Sequence, residues 1–261
     1  MKNIIIITGA SSGLGMEFAF QVDCLFLGSN IDEVWLLARR EEQLKEVAHN
    51  MELPTRIIPM DVNDKAEMKY LSTILKQEKP VVRMLINCAG YGMVGDFSKI
   101  GLEEQLGMID TNCKALTHMT YLCLPYMRKE SRIIQLASSA AFMPQPGFAV
   151  YAASKAYAFS FSKALSEELR KRKIYVTAVC PGPVDTPFFQ IAEKYHQTIA
   201  AKKKFMADPY QGVRKALHDS HLKKRVSVYS ASINAFWGLT KCVPQDIILF
   251  FMRFLKGTSR T

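Results

Sequence analysis

Asn3-Ile4-Ile5-Ile6-Ile7-Thr8-Gly9-Ala10-Ser11-Ser12-Gly13-Leu14-Gly15 sets a short β-branched run against a turn holding three glycines. A continuous apolar run of this length, closed at once by glycine, reads as a strand buried on both faces of a parallel sheet. The glycines let the chain turn sharply at the strand's carboxyl end and let backbone N–H groups approach a pyrophosphate. The apolar residues from Gly13 to about Gly28 read as a helix whose positive end faces that anion. Any tight βα turn favours glycine, so the turn alone carries modest weight.

Outward from this unit, strand and helix alternate. Glu33–Ala38 reads as a strand, Glu41 to about Asn50 as a charged helix, and Arg56–Pro59 as a third strand. Lys65–Gln77 has helical spacing at Met68, Leu71, Ile74 and Leu75, and Met84–Asn87 is a short strand. A long helix follows over Glu103–Met127, interrupted near its end by Pro125. Arg132–Leu136, Tyr175–Val179 and Val226–Tyr229 read as strands, with a helix over Tyr151–Lys171. Repeated β-α-β units predict an α/β fold: a Rossmann-type doubly wound parallel sheet of about seven strands, helices on both faces. Residues 186–225 are helical in composition without a strand and are expected to lie as an insertion over one sheet edge. With no linker or low-complexity tract, the 261 residues are expected to form one domain.

Hydrophobic residues make up 49% of the chain and charged residues 22%, as in a globular protein. Six scattered cysteines with no C-x-x-C pair suit a reducing, cytoplasmic setting. The run Ile4–Ile7 is too short for a signal peptide, and no stretch of ~18 apolar residues predicts a spanning helix. Lys and Arg (34) exceed Asp and Glu (24), and residues 191–225 hold nine of the cations against Glu193, Asp208 and Asp219. A solvated face, attraction of an anionic substrate and contact with anionic lipid all fit that excess. No DNA- or RNA-binding motif accompanies it, so nucleic acid is not an expected partner. His218 and His221 are three apart but lack a third ligand, so no metal is expected.

Tyr151-Ala152-Ala153-Ser154-Lys155 places a phenol and an ammonium on one helix face, one turn apart. A free phenol loses its proton only near pH ~10, and a neighbouring cation is expected to lower that value toward working pH. Such a pair supplies the proton donor that a carbonyl needs when hydride arrives, and the base that an alcohol needs when hydride leaves. Ser138 stands thirteen residues earlier, after the strand Arg132–Leu136, where its hydroxyl can meet the reacting oxygen; Ser139 is the alternative.

The T-G-x-x-x-G-x-G turn, the Tyr-x-x-x-Lys pair and their order resemble the short-chain dehydrogenase/reductase family, over residues 3 to about 188. The resemblance implies an oxidoreductase moving hydride between a nicotinamide and a carbonyl or secondary alcohol. Its catalytic group would be Asn112, Ser138, Tyr151 and Lys155, with Asn112 kinking the long helix and holding a water in a relay with Lys155. Gly9, Ser11, Ser12, Gly13, Leu14 and Gly15 would cradle the pyrophosphate, and Asp61-Val62 the adenine. Asn87-Cys88-Ala89-Gly90 matches the family's Asn-Asn-Ala-Gly turn with Cys88 in place of the second Asn, so Asn87, Ala89 and Gly90 would flank the cofactor. Pro181, Gly182, Val184 and Thr186 match the loop over the nicotinamide. Where NAD-preferring sites carry an acid, this chain has Ala38 followed by Arg39, whose guanidinium can hold a 2′-phosphate. NADP(H) is therefore expected, ahead of NAD(H).

The insertion over 186–225 sits where this family has its substrate lid, and Phe188, Phe189, Tyr195, Phe205 and Met206 read equally as pocket lining or as core. The turn Tyr91–Phe97 and the C-terminal amphipathic segment, about residues 231–256, resemble the steroid-dehydrogenase and ketoacyl-reductase-like branch, which implies an apolar ketone, steroid-like or 3-oxoacyl. Residues 234–256, aromatic-rich and flanked by Lys241, Arg253 and Lys256, fit packing on the domain, a subunit interface or peripheral membrane contact. The resemblance also implies a homodimer or homotetramer built through the two long helices. A non-catalytic NADP(H)-binding regulator is the competing expectation, although such proteins typically lose the Tyr or the Lys.

Overall fold

The computed structural model describes residues 1–195 and 206–250. The strands β1 (Asn3–Thr8), β2 (Glu33–Ala38), β3 (Thr55–Pro59), β4 (Val81–Asn87), β5 (Arg132–Leu136), β6 (Tyr175–Val179) and β7 (Val226–Ser227) form one sheet. Its order is β3-β2-β1-β4-β5-β6-β7, every pair parallel. Ile4 to Ile7 are fully buried, as the first strand's unbroken apolar run requires. β4 begins earlier than its spacing predicts, because Val81 and Val82 already pair with Asn3 and Ile4.

One face of the sheet is covered by α3 (Lys65–Glu78), α4 (Leu102–Ile109), α5 (Leu116–Cys123) and α6 (Ala149–Glu168). Met68, Leu71, Met119 and Leu165 bring that layer down onto Ile4, Ile6 and Trp35. On the other face lie α1 (Gly13–Phe26), α2 (Glu41–His49) and α8 (Pro209–His221), through Phe18, Val22, Leu44 and Val213. Each fully buried Ile, Leu or Phe contributes roughly 1.5–3 kcal/mol, so these two layers hold the sheet. A short helix, α7 (Phe188–Ala192), stands above the sheet's carboxyl edge, and α9 (Ala231–Cys242) packs Phe236 and Trp237 against Phe142.

The segment expected as an insertion over 186–225 divides in two. Val213, Ala216 and Leu217 form an i, i+3, i+4 stripe that buries α8 in the core, with Asp208 capping Tyr210 N–H at 2.9 Å. Of the part before α8, residues 186–195 stand over the sheet edge. Residues 196–205, Phe205 among them, and 251–256 of the C-terminal segment lie outside the described residues. Among the described residues no helix is long and apolar enough to cross a membrane.

Candidate active site

The strand order reverses between β1 and β4, and a crevice opens at the carboxyl ends of strands at such a reversal. Here it is a cleft of about 620 Å³. Gly9, Ser11, Ser12, Gly13, Leu14 and Gly15 line it from one side, and Arg39, Asp61 and Val62 from the adenosine end. Gly9 and Gly13 hold positive φ, and a Cβ on Gly15 would overlap the Gly9 carbonyl. The backbone turn is thus tight enough for an extended anion to lie against main chain alone. Ser12 makes no side-chain cap on α1, and the helix has no acid in its first turn, so its leading N–H groups face the cleft uncompensated. Ser12 and Ser11 are engaged from outside by Arg40, whose Nη2 donates to their hydroxyls at 2.6 and 3.0 Å. Arg39 reaches Asp61 at 3.9 Å.

Tyr151 and Lys155 sit on the first turns of α6 and face the same cleft. Lys155 Nζ lies 5.7 Å from the Tyr151 ring centroid and donates to the Leu136 carbonyl at 2.9 Å. Burial pushes the phenol up to about 12, with the Ser138 hydroxyl pulling it back down. The lowering expected from the neighbouring cation is overridden because the phenol is shut away from water between Phe148, stacked at 4.2 Å, and Gly92. The same burial lowers Lys155 to about 8. Ser138, the serine that meets the phenol, also accepts from Ala140 N–H at 3.1 Å, while Ser139 N–H is turned to Pro181 O.

Asn112 lies fully buried at the centre of a π-helical turn, Asp110–Ala115, inserted between α4 and α5. Its amide donates to Tyr91 O and Ser154 Oγ, both at 2.9 Å, and accepts from Tyr91 N–H at 3.1 Å. It therefore braces the turn carrying Gly90, where a Cβ would stand 2.7 Å from Asn112 Oδ1 and 3.1 Å from Lys155 Nζ. Thr8 ties the turn's other end, its hydroxyl accepting from Cys88 and Ala89 N–H at 3.1 Å each.

The carboxyl-edge loop brings Pro181, Val184 and Thr186 to the cleft, followed by Phe188, Phe189 and Ile191. Lys194 and Tyr195 both bind Glu104 Oε1 at 2.8 Å, latching this segment to α4. Lys194 holds the Glu104 carboxyl down at about 2. Its charge is therefore spent on the latch and not presented to an anionic substrate.

A short chain dehydrogenase family model matches residues 3–196, most of the chain. The chain belongs to the short-chain dehydrogenase family. An oxidoreductase of Staphylococcus epidermidis is 31% identical over 188 residues, 71% of this chain and 80% of that relative. A short-chain dehydrogenase from Sphingobium yanoikuyae in complex with NADPH superposes at a TM-score of 0.78 with 23% identity, covering 94% of this chain and 95% of that one. A serine dehydrogenase complexed with NADP+ gives 0.72 with 27% identity, covering 83% and 88%. The protein is thus an oxidoreductase acting on CH–OH and C=O groups, with a Rossmann-like nucleotide-binding sheet.

In this dehydrogenase, most residues named from the sequence line one cleft, but four stand behind it: Asn112 and Ser138, which touch the lining residues Tyr91 and Tyr151, and Asn87 and Gly182. Asn87 points into the sheet, donating to Gln135 and Thr120, and Gly182 backs onto Ile233 of α9. Neither lines the wall. Sequence reading missed Arg40, Glu104 and the Phe148 stack. Arg40 had a signal, two serines in the turn facing two arginines after β2. His218 and His221 are exposed on the last turn of α8, and among the described residues no group of three potential ligands gathers.

Proposed function

We propose that this dehydrogenase uses NADP(H) to reduce the carbonyl of a bulky apolar ketone, steroid-like or 3-oxoacyl in shape. The observation that carries the reading is the convergence of the glycine turn, Tyr151 and Lys155 on a single cleft. A dinucleotide fits the residues present: the main-chain cradle of Gly9 to Gly15, the uncompensated start of α1, and the gap that only glycine leaves at position 90. Two guanidiniums and two serine hydroxyls at the adenosine end, with Ala38 in place of an acid, favour a 2′-phosphate over a bare ribose.

When bound, the nicotinamide supplies the hydride in reduction and accepts it in oxidation. Tyr151 holds the proton for the carbonyl oxygen, and with its pKa near 12 it stands protonated at neutral pH, the form that reduction needs. Ser138 fixes the oxygen beside that phenol. Lys155, held by Leu136 O, offsets the charge left on Tyr151 as its proton departs. Asn112 keeps Gly90 and Tyr91 from crowding Lys155. Phe188, Phe189, Ile191 and Met93 give the substrate end apolar walls. We assign the protein to the cytoplasm, in keeping with its free cysteines, as a homodimer or homotetramer, with residues 234–256 available for peripheral membrane contact.

The test is NADPH oxidation over a panel of bulky ketones with wild type and Tyr151→Phe. The expected result is turnover that falls at least about 100-fold in the variant. Turnover that survives the substitution removes Tyr151 as the acid. NADPH binding without turnover on any ketone would instead favour the regulator.

A further inference from the structure

The amino edge of the sheet, opposite the cleft, is built from three loops that feed neighbouring strands: residues 128–131 into β5, 170–174 into β6 and 222–225 into β7. They hold nine Lys and Arg against one carboxylate, Glu130, in a chain whose total excess is ten. Main-chain acceptors stitch them together. Glu130 N–H donates to Lys173 O at 2.8 Å, Tyr175 N–H to Ser131 O at 3.0 Å, and the Thr177 hydroxyl to Lys224 O at 2.7 Å. The cations therefore ride on one plate.

Part of that charge is neutralised: Lys223 reaches Glu130 at 3.2 Å, Lys224 reaches Asp219 at 2.9 Å, and Arg170, at 3.6 Å, and Arg225 both pair with Glu167. Lys129, Lys171 and Lys173 are exposed and, among the described residues, pair with no carboxylate. The backbone is strained at the same loops. Lys173 and Lys223 hold φ of 55° and 60°, Glu130 of the same plate holds 70°, and Lys79, ahead of adjacent β4, holds 47°. Glycine adopts this left-handed region without strain, so Lys173 and Lys223 keep their cations, and Glu130 its carboxylate, where the backbone favours glycine. Leu222 stands between Lys223 and the end of α8 and is 50% exposed, and Leu25 and Leu27, at the end of α1, which packs against α8, are 61% and 52% exposed.

We propose that this edge docks on an anionic lipid surface, the lysines meeting headgroups and the three leucines entering the interface. A flat plate of cations with protruding leucines matches a charged, penetrable sheet. Nucleic acid would call for an element that enters a groove or an open aromatic face. Tyr175, the aromatic of this plate, is covered by Lys223 at 4.5 Å and Arg132 at 5.7 Å. The proposal does not rest on the reductase reading.

The full chain is sedimented with vesicles of phosphatidylcholine alone and of equimolar phosphatidylcholine and phosphatidylglycerol. Binding is expected only to the anionic vesicles, falling as salt rises. The triple variant K129Q/K171Q/K173Q, its NADPH oxidation intact, is expected to bind at least about ten-fold more weakly. Lys173→Gly is expected to weaken binding while raising Tm, because it removes charge and strain together. Wild-type binding by the triple variant assigns any attachment to the C-terminal segment and overturns the proposal. So do failure to bind anionic vesicles, equal binding to neutral ones, and tighter binding to a DNA duplex.

Discussion

Lys155 and Tyr151 are buried from the same water and shift in opposite directions, which gives stability a two-part pH dependence. Lys155 titrates at about 8 in the fold against 10.5 in the unfolded chain. Between those values the unfolded chain holds the extra proton, so raising pH stabilises the fold, by up to about 3 kcal/mol. Tyr151 titrates at about 12 against 10.0 unfolded, so there the folded state holds the proton and stability falls as pH rises through that window. Lys155→Met is expected to raise Tm at pH 7, to lose the gain above pH 8, and to be inactive; thermal melts across pH for both proteins check this. At the adenosine end, Arg40 anchors the two serines, and charged hydrogen bonds of this kind contribute about 1.5–3 kcal/mol. Arg40→Ala is therefore expected to raise KM for NADPH about ten-fold or more, and KM for NADH by clearly less, through the serines alone. Equal effects on both cofactors would place Arg40 outside 2′-phosphate recognition.

Between α4 and the segment after α7, the Glu104 latch links the substrate end of the cleft to the helix that runs into Asn112. Glu104→Gln keeps the shape but removes the charge. It is expected to raise KM for the ketone several-fold, with NADPH affinity and kcat little changed, as steady-state kinetics and cofactor titration will show. This latch spans 90 positions of chain, and no local pattern announces it. The Arg40–Ser12 contact likewise spans 28. By contrast, β1, its glycine turn and the Tyr151–Lys155 pair were legible because strand period, turn chemistry and helical spacing are all local. The position of α8 was misread for a related reason. Its buried stripe at Val213, Ala216 and Leu217 is short and set among charges, so a segment helical in composition and without a strand read as an insertion over one sheet edge. The raised Tyr151 pKa was equally hidden, since the Phe148 stack and the Gly92 approach exist only after folding.

Across the whole molecule, the parallel order gives each sheet edge one task, with the cleft at the carboxyl edge and the cationic plate at the amino edge. The outer face of α4, α5 and α6 is left. Leu102, Leu106 and Ile109 repeat at i, i+4, i+7 and stay exposed, and Tyr121 and Tyr157 extend the apolar strip toward Phe161. Thr117 joins the two helices through the Tyr157 hydroxyl at 2.7 Å, so the strip is one surface. An apolar face of this length on paired helices is the form of an isologous subunit contact. Leu106→Glu, placed at its centre, is expected to shift the light-scattering mass from that of an oligomer to that of one chain. Activity should fall with it, because α4 carries Glu104 and leads into the π-turn that braces Gly90 beside Lys155. A wild-type chain that already scatters as a monomer, or a Leu106→Glu variant that keeps its mass, would take the contact away from this face.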